Sequence, residues 1–228
     1  MLTSVFFDRD PEELAKELLG KVLRRRFINA YGSFWLAARI IETEAYYLSE
    51  KGSHSSLGYT EKRRAMFMAP GTIYMYYARG GDSLNFSARG KGNGVLVKSG
   101  YPHIDKLSPE STLDIMRSIN PGSKTARRRG KLCNGQTLIC KSLNLKVPEW
   151  NQQQFKRNEF RLEDINETIG SIIKCQRLGI PEGRDHELML RFIEKDYSHF
   201  CTSNPLTKRN WKEGIDYLLL TPESVGVC

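Results

Sequence analysis

An α+β fold, a single compact domain around a curved antiparallel sheet with flanking helices, is predicted by three observations. Strand-like runs outnumber helical ones, they fall at the short spacings of hairpins, and no stretch reads as a linker. At 228 residues the chain is long enough for one domain with a full hydrophobic core, so residues 1–228 are expected to form a single unit. An apolar fraction of 39% and an even spread of Trp, Tyr and Phe argue against disorder.

The elements follow in order. Residues 10–20 read as a helix: Asp10 caps, Pro11 suits the first turn, Glu13 has the capping-box spacing and Gly20 can end it. Its apolar stripe is Leu14, Leu18 and Leu19. Strands are expected at 22–28 and 34–46 around the turn Asn29-Ala30-Tyr31-Gly32. Residues 49–64 are polar and bear Gly and Ser, the pattern of a long loop, and such loops are more often functional than idle. Residues 66–71 lead into a strand at 72–78. Gly80-Gly81-Asp82-Ser83 reads as a turn, 84–88 as extended and 94–99 as a strand. Helices are expected at 109–119 and 132–143, a polar surface insertion at 151–159, and closing strands near 172–177 and 190–193. The run Gly90-Lys91-Gly92-Asn93-Gly94 precedes a strand, so it is a hairpin turn rather than a phosphate-cradling loop, which needs a following helix.

Composition excludes several classes. No apolar run approaches the ~18 residues of a membrane span, so no membrane partner is expected. The start MLTSVFFDRDPEE turns acidic at once, unlike a secretory leader. Five cysteines, an odd count without a CxxC pair, indicate reduced thiols and a cytoplasmic setting (nucleoid-associated or nuclear according to the cell). His186-Glu187 lacks the second histidine of HExxH, and no metal site is indicated. Formal net charge is +9, with clusters at Arg24-Arg25-Arg26, Lys62-Arg63-Arg64 and Arg127-Arg128-Arg129. An excess of this size suits a polyanion, because each neutralised phosphate releases condensed counterions.

The chemistry-bearing stretch is Arg39-Ile40-Ile41-Glu42-Thr43-Glu44-Ala45-Tyr46. Side chains alternate along a strand, so Glu42, Glu44 and Tyr46 share one face. Either acid could act as a base, since parity does not separate them. Tyr74 and Tyr76 likewise point the same way on the next strand.

The segments ARIIETEAY (38–46), RRAMFMAPGTIYMYY (63–77), LNFSARGKGNGVLVKS (84–99), GKLCNGQTL (130–138) and CQRLGI with LRFIEKD (175–180, 190–196) resemble, in order, the alkyladenine (3-methyladenine) DNA glycosylase family. This is the monofunctional type not built on the helix-hairpin-helix fold. The resemblance runs from about residue 10 to about 203, leaving 204–228 divergent. It implies flipping of alkylated or deaminated purines (3-methyladenine, 7-methylguanine, hypoxanthine) from double-stranded DNA and hydrolysis of the N-glycosidic bond. It places the general base on Glu44, and Lys98 where an arginine usually assists the water and a phosphate. Tyr46, His54 and Tyr76 fall on the walls of the base pocket, and Asn85 on the asparagine that crowds the guanine 2-amino group. The gap-filling wedge falls on Arg79, with Tyr77 as its neighbour; an arginine can fill a gap with its planar guanidinium. The family usually acts as a monomer, and no cofactor is implied. A carboxylate beside an oxocarbenium-like sugar can stabilise the charge and deprotonate the attacking water. A noncatalytic protein that only binds damaged DNA is the alternative.

Overall fold

The computed structural model describes residues 1–78, 80–208 and 210–221. Its spine is one long strand. After the short helix α1 (Ser4–Phe7) and helix α2 (Pro11–Glu17), strand β1 (Val22–Asn29) turns into the fifteen-residue β2 (Gly32–Tyr46). Asp10 caps α2 as its spacing predicts, accepting the Glu12 N–H at 2.9 Å, and it also accepts the Tyr47 hydroxyl at 2.6 Å. Gly20, at φ +78°, makes the left-handed exit that a β-carbon would oppose.

A hairpin of β3 (Ile73–Ala78) and β4 (Gly81–Ser87) follows, then β5 (Gly94–Pro102). Helices α3 (Thr112–Ile119), α4 (Gln136–Ser142) and α5 (Val147–Trp150) lie between β5 and β6 (Phe160–Glu163). Strands β7 (Ile172–Cys175), β8 (Arg191–Glu194) and β9 (Tyr217–Leu220) complete an open antiparallel sheet. Its order is β3-β4-β5-β2-β8-β7-β9, with β1 pairing the first half of β2 and β6 pairing β1. The described residues thus form a single compact α+β domain, and none of their helices is long and apolar enough to cross a membrane.

One irregularity in β2 decides where the site lies. Its pairing with β5 shifts register between Ile40 and Thr43. Before the shift Leu36, Ala38 and Ile40 face the main core. After it Ala45 faces that core and Thr43 bonds the Ala15 carbonyl of α2 at 2.7 Å. Such a bulge re-aims side chains. Here it inverts the alternation, so Glu42, Glu44 and Tyr46 leave the core side together.

Several expectations need correction. The loop at 49–64 contains two tight 3₁₀ turns, His54–Leu57 and Glu61–Phe67. The residues expected to turn at 80–83 are mostly strand, because Ala78 already pairs with Gly81. The segment 151–159 lies largely at the surface as expected, but it is anchored to the sheet. Gln152 and Gln153 hydrogen-bond both backbone groups of Ile73, and Phe155 packs among Phe7, Phe86 and Phe160 in the core. Its polar residues satisfy an otherwise open sheet edge. Of the three basic clusters, the first is partly internal: Arg24 is buried against Asp105, Glu163 and Ser108. The four described cysteines are all buried and unpaired.

Candidate active site

The face freed by the bulge forms the floor of a cavity of about 330 Å³. Register builds that floor in a single row. Tyr74 on β3 pairs with Asn85 on β4, Asn85 with Leu96 on β5, and Leu96 with Glu44 on β2. On each strand the alternate residues, Met75, Leu84, Phe86, Val95 and Val97, enter the core and fix the row's orientation.

Six of the residues singled out in the sequence line this cavity: Tyr46, His54, Tyr76, Tyr77, Asn85 and Lys98. Arg79 lies outside the described residues. Tyr77 is 67% exposed at the rim. The hairpin below it sits tightly on the start of α4, since a β-carbon added at Gly81 would lie 2.9 Å from Thr137 Cβ.

Glu44, at the end of that row, is fully buried, and all three of its partners belong to residues that line the cavity. The Tyr46 hydroxyl donates to it at 2.8 Å, the Lys98 ammonium lies 3.2 Å away, and the Leu178 N–H donates at 3.3 Å. Burial alone would raise its pKa. The charges of Lys98 and Arg191, with the Tyr46 and Lys98 hydrogen bonds, outweigh burial and hold it below the ordinary 4.5. The carboxylate is therefore ionised at neutral pH. Tyr46, buried and facing that anion, is pushed well above 10 and stays a neutral donor.

Glu42 has the opposite surroundings. It receives Arg191 Nε at 2.7 Å, the Ser99 hydroxyl at 2.5 Å, and the Thr202 N–H and hydroxyl at 3.0 and 2.6 Å. Among the described residues it does not line the cavity.

The walls are aromatic and neutral. Tyr74 and Tyr76 lie 5.4 Å apart, tilted by 31°, and His54 meets Tyr76 edge-on at 4.4 Å. Burial, with Arg63 and Arg184 nearby, lowers the His54 pKa below 6.5, so its ring is uncharged at neutral pH. Asn85 donates to the Tyr74 carbonyl at 3.1 Å, which fixes its amide within the floor. Met66 and Gln136 also line the cavity, as does the strap of Leu178, Gly179 and Ile180 after β7. Met66, Leu178, Gly179 and Ile180 belong to the motif segments quoted above, but nothing local marked their side of the pocket. Gln136 reaches it only because Gly135, at φ +113°, starts α4 with its N–H on the Ser99 hydroxyl.

A room this size suits one flat heterobicycle between aromatic faces, above an anion that cations hold ionised. Comparison with known proteins gives that arrangement its context. A sequence model described as methylpurine-DNA glycosylase matches residues 5–198. A protein of Pseudomonas aeruginosa strain LESB58 named "Putative 3-methyladenine DNA glycosylase" is 56% identical over 220 residues, covering 96% of this chain and 90% of its own. A protein of the same name from Pseudomonas syringae pathovar tomato is 56% identical over 216 residues, 94% of this chain and 95% of its own. An archaeal one from Methanocella arvoryzae is 31% identical over 197 residues, 84% and 90% of the two chains.

Proposed function

This chain belongs to the methylpurine-DNA glycosylase family, and we propose that it flips alkylated purines, and hypoxanthine, out of duplex DNA and cleaves them hydrolytically with Glu44 as the base. Family membership makes it an N-glycosyl hydrolase acting on DNA. The reading of lesion range and residue roles is supported above all by one observation: an ionised, buried carboxylate directly under an aromatic cavity, held by groups that themselves line it.

The geometry suggests the following division of labour. The everted base lies between Tyr46, Tyr76 and His54, whose faces replace the stacking lost on leaving the helix. A methylated purine carries positive charge, and neutral tyrosines attract it by about 0.5–2 kcal/mol, whereas a protonated histidine would repel it. As the C1′–N bond breaks, its electron pair leaves with the base and the sugar becomes oxocarbenium-like. Water adds to C1′ and Glu44 takes its proton. A cationic base leaves neutral without needing a proton, so one carboxylate suffices; neutral hypoxanthine leaves as an anion and takes up the proton that the attacking water gives to Glu44. Lys98 stays paired with Glu44 and acts by orienting it, which fits hydrolysis to an abasic site without strand cleavage. Asn85 narrows the floor against the 2-amino group of undamaged guanine. Exposed Lys62 and Arg64 near one rim, with Lys124, Arg128 and Lys131 before α4, supply cations for the phosphates as a monomer docks.

The test is a duplex carrying one 7-methylguanine or hypoxanthine, incubated with protein and then alkali. Strand breaks with wild type and not with Glu44→Gln are expected. Tight lesion binding without breaks from the wild type would instead identify a damage-binding protein.

A further inference from the structure

Arg177 is a fully held cation behind the cavity, and the division of labour above gives it no task. Its side chain is 1% exposed. Its guanidinium donates to the Ala45 carbonyl at 2.9 Å and to Glu50 at 2.8 Å, with a second, shorter bond to the other Glu50 oxygen. Glu50 in turn accepts the Tyr47 N–H at 2.6 Å. Nε has no hydrogen-bond partner among the described residues. The Cζ of the group instead lies over the Tyr46 ring, 4.5 Å from its centroid.

These bonds bracket Tyr46 from both sides in sequence, at Ala45 and at Tyr47. The guanidinium contact fixes the ring plane between them. The next residue of the same strap, Leu178, donates its N–H to Glu44, and Leu178 to Ile180 wall the cavity. The strap is pressed against the loop that carries His54: a β-carbon at Gly52 would lie 3.1 Å from Arg177 Nη2 and 3.2 Å from Ile180 Cγ2. The Tyr46 hydroxyl has only one correct direction, 2.8 Å from Glu44, and a ring free to swing would lose it.

We propose that Arg177 is a positioning residue for base excision, which holds the Tyr46 ring against its guanidinium so that the hydroxyl stays on Glu44. This rests on the reading of Glu44 and Tyr46 given above. A planar, forked cation is required for it: lysine could keep the charge but neither the two-pronged grip on Glu50 nor the broad cover over the Tyr46 ring.

The test is a double-mutant cycle on single-turnover excision of 7-methylguanine, with Arg177→Met and Tyr46→Phe alone and together. Alone, Arg177→Met should slow excision by about 10- to 100-fold, the range expected when a catalytic contact is misplaced. In the Tyr46→Phe background, where no hydroxyl remains to aim, the same change should cost no more than about 2-fold. Arg177→Lys should be impaired nearly as much as Arg177→Met despite its charge. If Arg177→Met fails to fold, Glu50→Gln enters the same cycle, with the same non-additivity expected. Equal losses in both backgrounds, or a Lys variant of wild-type rate, would overturn the proposal while leaving the reading of Glu44 intact. A wild type that releases no base would instead overturn that earlier reading.

Discussion

Glu42 and Glu44 stand two residues apart on one strand, face the same way and are both closed to solvent, yet their surroundings suit them to different work. Glu42 is saturated by short bonds from Arg191, Ser99 and Thr202, and those bonds join β2 to β5, β8 and the turn after β8. Glu44 has fewer and longer bonds, and all three donors belong to residues that line the cavity. Burial thus separates neither acid from the other. What differs is whether lone pairs remain for a reacting water.

The largest effect should come from splitting that pair. Glu44→Gln is expected to lower single-turnover excision by about 10²–10⁴-fold while the protein still folds, with a smaller loss of stability than Glu42→Gln, since the amide keeps the shape but loses the base and the charge facing Lys98. Glu42→Gln should do the reverse. It leaves Arg191 buried without its counter-charge and should cost about 3–5 kcal/mol in urea unfolding, while excision per folded molecule stays within a few-fold. An unfolded Glu44→Gln and a healthy but inactive Glu42→Gln would invert the assignment.

A second measurement sharpens the contrast through pH. With a cationic lesion, whose leaving group needs no proton, the rate should hold as pH falls to 4.5 and drop only below it. The depressed Glu44 pKa keeps the base ionised, and activity is lost as pH descends through that folded-state value. Lys98→Met removes the foremost cation that depresses it. The acid limb should then move upward, and a limb that does not move would show that Lys98 does not set the ionisation of Glu44.

The smallest effect concerns the other end of the floor row. Asn85→Ser should raise release of undamaged guanine relative to 7-methylguanine by about tenfold, the scale on which a small change of pocket shape discriminates. Competition between the two bases in one duplex would measure it.

Much of this was legible in the sequence. The cap at Asp10, the hairpin turn between Asn29 and Gly32 and the shared face of Glu42, Glu44 and Tyr46 follow from local rules and were read correctly. Three features were not legible, each for a physical reason. The bulge at residues 40–43 changes no residue type that parity can sense, so the inversion that turns this face toward a cavity is visible only in the pairing. The Tyr74–Asn85–Leu96–Glu44 row needs the register of four strands at once. Arg24 and Arg177 look like surface charge because a sequence does not show that Glu163 or Glu50, more than a hundred residues away, will meet them in the interior. The segment 151–159 is largely exposed, as its composition suggests, but the hold of Gln152 and Gln153 on the β3 edge and of Phe155 on the core depends on partners that its own residues do not reveal.

The buried cysteines carry one last consequence. Burial raises the thiols of Cys133 and Cys175 to about 12 and about 11, and pushes Cys140 and Cys201 upward as well. Only a thiolate attacks an electrophile readily, and at neutral pH these four are almost wholly protonated and shielded. Reagents that methylate ring nitrogens in a genome would therefore find no ready nucleophile among these four described thiols.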